Sequence, residues 1–275
     1  MEESLYIHGS DPIEQDRLSR LNDWLNQSCL AALNLDSRVH RVLDVGSGLG
    51  QFTRAMAGVL PDDAFVLGIE RDARQLEKAR NLAAGDPATQ KLEFRQGLAE
   101  QLPLSDPEWG SFDLAHTRFV LEHVRRPEAV VQQMAAAVKP GGSVVLLDDD
   151  HANFRLWPEP PGFAILWEAY LRSYERLGND PLVGRRLVSL LQQQGLVHIE
   201  PKLIFFGGSA GQSIFPVVAE NILGILMGSR EWMVSEGLIT AGLFEDCIRL
   251  LDDWRKLPDA TLWYGLNYAE GRKPQ

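Results

Sequence analysis

The chain of 275 residues has little cysteine and no run of basic residues. Its two cysteines, Cys29 and Cys247, lie far apart and match no metal-ligand spacing, which is typical of buried thiols in a reducing cytosol. Acidic side chains outnumber basic ones by 38 to 27, so the formal net charge is −11. Because nucleic-acid binding requires a basic surface, we expect neither DNA nor RNA as a partner.

Long apolar runs are also absent. The longest apolar stretch, about residues 214–227, is interrupted by Pro216, Glu220 and Asn221, which makes it too short and too polar to span a bilayer. The first residues are acidic and lack the apolar core of a secretory signal. We therefore expect a cytoplasmic protein without membrane contact, in which a hydrophobic content of 45% supplies a sizeable core.

Short apolar strands alternate with helices in the first half of the sequence. Strands are predicted at 41–45, 64–70, 91–97, 111–117 and 143–149, and helices at 51–60, 72–85 and 127–138, with a turn at Pro140-Gly141-Gly142. This alternation predicts right-handed βαβ units and a parallel sheet with helices on both faces. After residue 150 the pattern predicts helices at 163–174, 183–195 and within 212–256, and strands at 197–206 and 261–273.

These patterns predict an N-terminal helical lid at residues 1–37 and a main domain at 38–275, with cap insertions at about 151–181 and 210–258. Tyr6, with Gln15 and Arg17 nearby, is a candidate to close over a ligand as part of the lid. In the first cap segment, aromatic side chains from Phe163 to Tyr174 share one helix face. They either contact a substrate or form the core of the cap.

The strongest local signal is the segment VLDVGSGLGQFT at residues 42–53. Gly46, Gly48 and Gly50 allow the backbone to approach a ligand closely, and the amides at the start of the next helix face an anionic group. A dinucleotide-binding G-x-G-x-x-G would need a third glycine at position 51, which is Gln51. Glu70 ends the next strand, where a carboxylate accepts hydrogen bonds from ribose hydroxyls. A tight turn without a ligand and a solvated strand end remain the alternatives.

Four features together resemble the class I S-adenosylmethionine-dependent methyltransferases, in particular the small-molecule enzymes with the type-11 methyltransferase domain. They are the loop Asp44-Val45-Gly46-Ser47-Gly48-Leu49-Gly50, Glu70, Leu102-Pro103 and Lys139-Pro140-Gly141-Gly142, and the resemblance covers roughly residues 38–150. It implies a Rossmann-like, seven-stranded, doubly wound α/β sheet that is mostly parallel with an antiparallel last strand. It also implies the cofactor S-adenosyl-L-methionine and the product S-adenosyl-L-homocysteine.

The resemblance further implies a set of cofactor-binding residues at the carboxyl ends of the first four strands: Gly46, Ser47, Gly48, Gly50, Glu70, Arg71, Leu98, Ala99, Glu100, Thr117 and Arg118. Glu70 corresponds to the residue that binds the ribose diol, and Arg71 flanks the adenine. Residues 98–100 correspond to the adenine edge, and Thr117 and Arg118 to the methionine and the reacting sulfur. Leu98 departs from the family, whose members usually have an aspartate that accepts from the adenine amino group.

The sequence gives fewer signals for the methyl acceptor than for the cofactor. Asp148, Asp149, Asp150 and His151 end the fifth strand, and His151 is the candidate catalytic base, with a substrate contact or a polar strand end as alternatives. No metal site is expected, because consecutive acids on a strand alternate between its faces. Candidate substrate-binding residues are Trp157 and Tyr170, whereas His123 is interpreted as structural.

The sequence thus predicts methyl transfer by in-line displacement to an oxygen, nitrogen or carbon of a small molecule in a closed pocket. A homodimer is compatible with it. The alternatives are a protein or RNA methyltransferase, a nicotinamide-dependent oxidoreductase, and a cofactor-binding regulator without chemistry.

Overall fold

A computed structural model describes residues 24–33 and 35–275 of the chain. Tyr6, Gln15 and Arg17, for which a role in a lid is predicted, lie outside the described residues, as does most of the predicted lid at 1–37. Within the described part, residues 24–32 are helical (α1). The lid itself therefore stays a prediction.

The strands and helices follow the predicted alternation. The strands are β1 (Arg41–Val45), β2 (Phe65–Glu70), β3 (Leu92–Gln96), β4 (Phe112–Arg118), β5 (Val138–Asp148), β6 (Arg155–Trp157), β7 (Val197–Phe205), β8 (Gly208–Ser209), β9 (Thr261–Trp263) and β10 (Gly265–Arg272). The helices after α1 are α2 (Gln51–Val59), α3 (Ala73–Ala83), α4 (Pro127–Ala137), α5 (Phe163–Arg176), α6 (Leu187–Gln193), α7 (Phe215–Ser235) and α8 (Ala241–Trp254).

The main sheet has seven strands in the order β3-β2-β1-β4-β5-β10-β7. The pairs β2–β3, β1–β2, β1–β4 and β4–β5 are parallel, whereas β10 is antiparallel to β5. This confirms the predicted Rossmann-like sheet with an antiparallel last strand. The strand order reverses between β1 and β4, and such sheets bind ligands at the carboxyl ends of the strands beside that point.

Two details of the predicted strands were wrong. Strand β5 begins at Val138, and the predicted turn at 140–142 is an irregularity within it, where pairing with β4 jumps from Phe112↔Val138 to Leu114↔Ser143. The predicted strand 261–273 is divided into β9 and β10, because β9 pairs with β6 and β8 in a separate antiparallel sheet. Strands of two or three residues are too short to show a hydrophobic period, so no local signal predicts this sheet.

The described chain divides into two compact units. The first, which we call the sheet unit, comprises residues 26–149, 182–204 and 266–275 and contains most of the seven-stranded sheet. Its core contains fully buried side chains from β1, β2 and β4 together with α4, among them Leu43, Val45, Leu67 and Val131. Burial of this apolar face fixes the register of the parallel strands, since a slip of one residue would turn it to the opposite face.

The second, which we call the helical unit, comprises residues 24–25, 150–181 and 205–265 of the described chain and contains α5, α7, α8 and the three-stranded sheet. The predicted aromatic face of α5 is its buried face: Phe163, Trp167, Tyr170 and Tyr174 are each at most 8% exposed. In the part of the chain that the structure describes, no helix combines the length and the apolar character needed to cross a bilayer.

Candidate active site

The glycine loop joins β1 to α2 and is tied to the end of β2. Gly46, Gly48 and Gly50 all have positive φ, at 77°, 53° and 69°. The amides of Gly46 and Ser47 donate to the carbonyl of Ile69 at 2.8 and 2.9 Å. The loop therefore crosses the tips of two neighbouring strands, and at three points its backbone takes a conformation that favours glycine.

Glu70 lies directly against this loop. Its Oε2 accepts from the amide of Gly48 at 2.9 Å, its Oε1 accepts from the amide of Asp72 at 2.8 Å, and the residue is 8% exposed. Each carboxylate oxygen has a second acceptor site, so two backbone bonds leave capacity for a vicinal diol. A side chain at Gly48 would meet only Gln75 Oε1, at 3.4 Å, so the backbone there is open to a ligand.

The segment after β3 runs beside Glu70. The amide of Gly97 donates to the carbonyl of Glu70 at 3.1 Å, and Gln96 Nε2 donates to the carbonyl of Arg71 at 3.1 Å. Leu98, which follows, is 54% exposed. The structure thus joins Glu70 and Arg71 to Gln96 and Gly97, which directly precede the segment 98–100. Contacts of Arg71 and the segment 98–100 with adenine stay predictions.

Thr117 and Arg118 end β4 in different environments. Thr117 is fully buried, and its hydroxyl donates to the carbonyl of Val45 at 2.9 Å, which joins β4 to the strand before the loop. The guanidinium of Arg118 lies 4.4 Å from the centre of the Phe52 ring and donates from Nη2 to Asn26 Oδ1 at 2.9 Å. Arg118 therefore connects α1 with the helix that follows the glycine loop.

The partners of Asp44 beneath the loop were not predicted from the sequence. Asp44 on β1 accepts from Thr53 Oγ1 at 2.6 Å through Oδ2, and its Oδ1 lies 2.8 Å from His116 Nδ1. Asp44, Thr53 and His116 are at most 3% exposed. The available signal was Asp44 within the apolar strand VLDV, because a buried polar group requires a partner. Nothing in the strand FDLAHT marks His116 as that partner.

Three carboxyl groups lie near one another: Asp148 ends β5, Asp149 follows it, and Glu122 lies in the turn after β4. Asp148 is fully buried, and its Oδ2 accepts from the amides of Val120 and Leu121 at 3.1 and 2.8 Å. Burial, followed by the nearby carboxylates of Glu122 and Asp149, holds the pKa of Asp148 well above its ordinary value. Asp148 therefore fixes the turn after β4.

His151 lies in an aromatic cluster of the helical unit. Its ring centre is 5.6 Å from that of Tyr170 and 5.3 Å from that of Tyr174, and its Nδ1 is 3.4 Å from the hydroxyl of Tyr264. Its carbonyl accepts from Trp167 Nε1 at 2.8 Å. The histidine is 5% exposed, so the aromatic rings fix the position of its imidazole.

The two predicted substrate-binding residues differ in exposure. Tyr170 is fully buried, and its hydroxyl lies 3.0 Å from that of Tyr174. This packing is that of a core residue. Trp157 is 65% exposed on β6. Contacts of either residue with a substrate stay predictions.

Comparison with known proteins identifies the domain that carries the loop. Residues 43–146 match a family model described as a methyltransferase domain. The chain is 28% identical over 236 residues to the O-methyltransferase cnsE of Penicillium expansum, an alignment that covers 78% of this chain and 79% of that protein. It is 36% identical over 133 residues to the ubiquinone biosynthesis O-methyltransferase of Albidiferax ferrireducens, over 48% of each chain.

A solved structure agrees on the fold. The phosphoethanolamine N-methyltransferase 2 of Haemonchus contortus, in complex with phosphomonomethylethanolamine and S-adenosylhomocysteine, superposes with a TM-score of 0.53 at 17% identity. The superposition covers 91% of this chain and 53% of that one. At 17% sequence identity, this similarity shows a shared fold and nothing beyond it.

Proposed function

Because the chain carries a class I S-adenosylmethionine-dependent methyltransferase domain, we propose that it transfers the methyl group of S-adenosylmethionine to a small molecule. The observation that carries the proposal is the hydrogen bond between Glu70 and the amide of Gly48. It joins the carboxylate that we propose for the ribose to a glycine loop at neighbouring strand tips, which is where sheets of this kind bind the ribose of a nucleotide cofactor.

The residues present fit this cofactor. Glu70 retains acceptor capacity for both ribose hydroxyls, and the backbone at Gly48 is open on its ligand side. The exposed Leu98 offers an apolar surface for the adenine in place of the family's aspartate. The sulfonium supplies an activated methyl group, so the protein has mainly to align the acceptor with the S–CH₃ bond and exclude water.

A small acceptor is supported by charge and by the relatives. The net charge of −11 disfavours RNA. The ubiquinone biosynthesis O-methyltransferase is named for the synthesis of a small molecule, and we extend a small-molecule hydroxyl acceptor to this chain. Because a hydroxyl acceptor must lose its proton, we assign His151 as the base that receives it, in the aromatic surroundings of Trp167 and Tyr264.

Cofactor binding is tested by titration calorimetry with S-adenosylmethionine and S-adenosylhomocysteine. We expect Glu70→Ala to weaken binding by about 2 kcal/mol, because two ribose hydroxyls lose their acceptor. Glu77→Ala is the matched control, since Glu77 is an exposed carboxylate on α3. The absence of heat with the folded wild-type protein would refute the proposal.

The acceptor class is tested by incubating the protein with methyl-labelled S-adenosylmethionine and separate metabolite, protein and RNA fractions. Label in a small molecule is expected, and label confined to protein or RNA would contradict the proposal. With that acceptor, His151→Asn is expected to lower kcat about 100-fold and to leave cofactor affinity unchanged. The exposed His198 provides the control, His198→Gln.

A further inference from the structure

The base of the glycine loop contains a closed polar network within the sheet unit. Asp44 stands two residues before Gly46, and Thr53 lies in the first turn of α2 after Gly50. The bond from Thr53 Oγ1 to Asp44 Oδ2 therefore joins the two ends of the loop at 2.6 Å. A shift of the Asp44 carboxylate would displace the first turn of α2, and with it the loop.

His116 holds the second oxygen of that carboxylate. Asp44 and His116 are register partners on the parallel strands β1 and β4, and His116 Nδ1 lies 2.8 Å from Asp44 Oδ1. A carboxylate only accepts hydrogen bonds, so Nδ1 carries the hydrogen and donates it. The ring also lies 4.8 Å from that of Phe52 on α2, which restricts its rotation.

Burying this polar network costs folding free energy, and packing alone does not explain why a histidine and an aspartate stand here. His116 is 1% exposed, and its Nε2 has no hydrogen-bond partner among the described residues. A buried, unpaired acceptor of this kind costs about 1–3 kcal/mol. Replacing buried ionic groups by apolar side chains is often neutral or stabilising, so stability is a poor reason for histidine and aspartate at these interior strand positions.

We infer that His116 is a positioning residue for the cofactor: through its Nδ1 hydrogen bond it fixes the Asp44 carboxylate that closes the base of the glycine loop. His116 itself is placed beneath the loop, and it acts through Asp44 and Thr53 on the amides that face the ligand. This inference rests on the proposed cofactor site.

The test compares two substitutions of His116, one that retains a hydrogen-bond donor to Asp44 and one that removes it. Asparagine places its amide near the position of Nδ1 and can donate to Asp44, whereas leucine cannot. We expect His116→Leu to weaken S-adenosylhomocysteine binding about tenfold in calorimetry, the loss of one hydrogen bond to a charged group. The affinity of His116→Asn for S-adenosylhomocysteine is expected to remain within about twofold of wild type, because asparagine retains that hydrogen bond.

Three controls separate positioning from simple destabilisation. Val131→Ala empties core volume elsewhere in the sheet unit, and it should lower the melting temperature without changing cofactor affinity. Thr53→Val removes the other bond to Asp44 and should weaken cofactor binding. In the double variant with His116→Leu, the loss of binding free energy should be smaller than the sum of the two single losses. Equal loss of affinity in His116→Asn and His116→Leu, or in Val131→Ala, would overturn the inference.

The proposed function and this inference fail differently. If the wild-type protein binds no S-adenosylhomocysteine, the proposed function fails. If the wild type binds and Glu70→Ala weakens binding while His116→Leu does not, only the positioning role of His116 is refuted.

Discussion

At the scale of single residues, the glycines of the loop are required for two physical reasons. Gly46 has φ of 77°, and a Cβ there would overlap with Val120 Cγ2. Gly50 has φ of 69°, and a Cβ there would lie 2.5 Å from the Phe94 ring. Backbone conformation and packing therefore both exclude a side chain, independently of any ligand.

We expect Gly46→Ala to destabilise the protein by about 2–4 kcal/mol, because left-handed strain and overpacking add. Gly58→Ala is the matched control, since Gly58 lies in α2 and a Cβ added there would meet nothing within 4 Å. It should stabilise by about 0.5 kcal/mol, because alanine loses less entropy than glycine in a helix. Urea denaturation measures both, and equal effects would contradict the steric argument.

The buried carboxyl of Asp148 predicts a pH effect on stability. Its pKa is raised by burial and by the carboxylates of Glu122 and Asp149, so the folded state favours the protonated form. The resulting stabilisation is present below the unfolded pKa of about 4 and is lost as the pH rises through the raised value. Stability of wild type relative to Asp148→Asn should therefore fall as the pH rises above about 4.

Urea denaturation at intervals from acidic to neutral pH measures this difference. The control is Asp106→Asn, an exposed aspartate whose curve should run parallel to that of wild type. A wild-type curve that also runs parallel to that of Asp148→Asn would show that Asp148 titrates alike in both states.

At the scale of elements, helix α3 begins beside the site at a single capping residue. Asp72 Oδ1 accepts from the amides of Arg74 and Gln75 at 2.8 and 3.0 Å, and the amide of Asp72 itself donates to Glu70. The start of the helix and the carboxylate that we propose for the ribose are therefore fixed by adjacent bonds.

Asp72→Ala is expected to cost about 1 kcal/mol of stability, because two helix amides lose their acceptor. Asp72→Asn retains an acceptor oxygen and should cost only a few tenths of a kcal/mol. Both values come from urea denaturation, and an Asp72→Asn variant as unstable as Asp72→Ala would show that charge rather than capping is responsible.

The elements that the sequence predicts well are those with a local cause. β1 and β2 are apolar runs that end at a glycine or a charged residue, and α3 is predicted by its amphipathic spacing and its closing glycine. The small sheet of β6, β8 and β9 depends on pairing between distant segments, for which no local pattern exists. The turn residues at 140–142 mark the irregularity in β5 locally, whereas its pairing with β4 on both sides does not follow from them.

At the scale of the whole molecule, a ligand that binds only the folded state stabilises it by mass action. S-adenosylhomocysteine at about 100 times its Kd should add about 2.7 kcal/mol of stability. For a chain of this size that corresponds to a rise in Tm of about 5–10 °C. Differential scanning calorimetry measures the rise, which should be much smaller for Glu70→Ala at the same ligand concentration. An equal rise in both proteins would place the ligand away from Glu70.

By itself the sequence determined the class of sheet, the place of the glycine loop and the position of Glu70 at a strand end. Each of these depends on neighbours along the chain, namely a strand, a tight turn and a strand end. Only the tertiary structure decided which polar groups meet beneath that loop. Asp44 and His116 are 72 residues apart and touch because β1 and β4 are paired in register. It also decided that Tyr170 is buried, since one helix face suits a core and a binding surface equally until its neighbours are known.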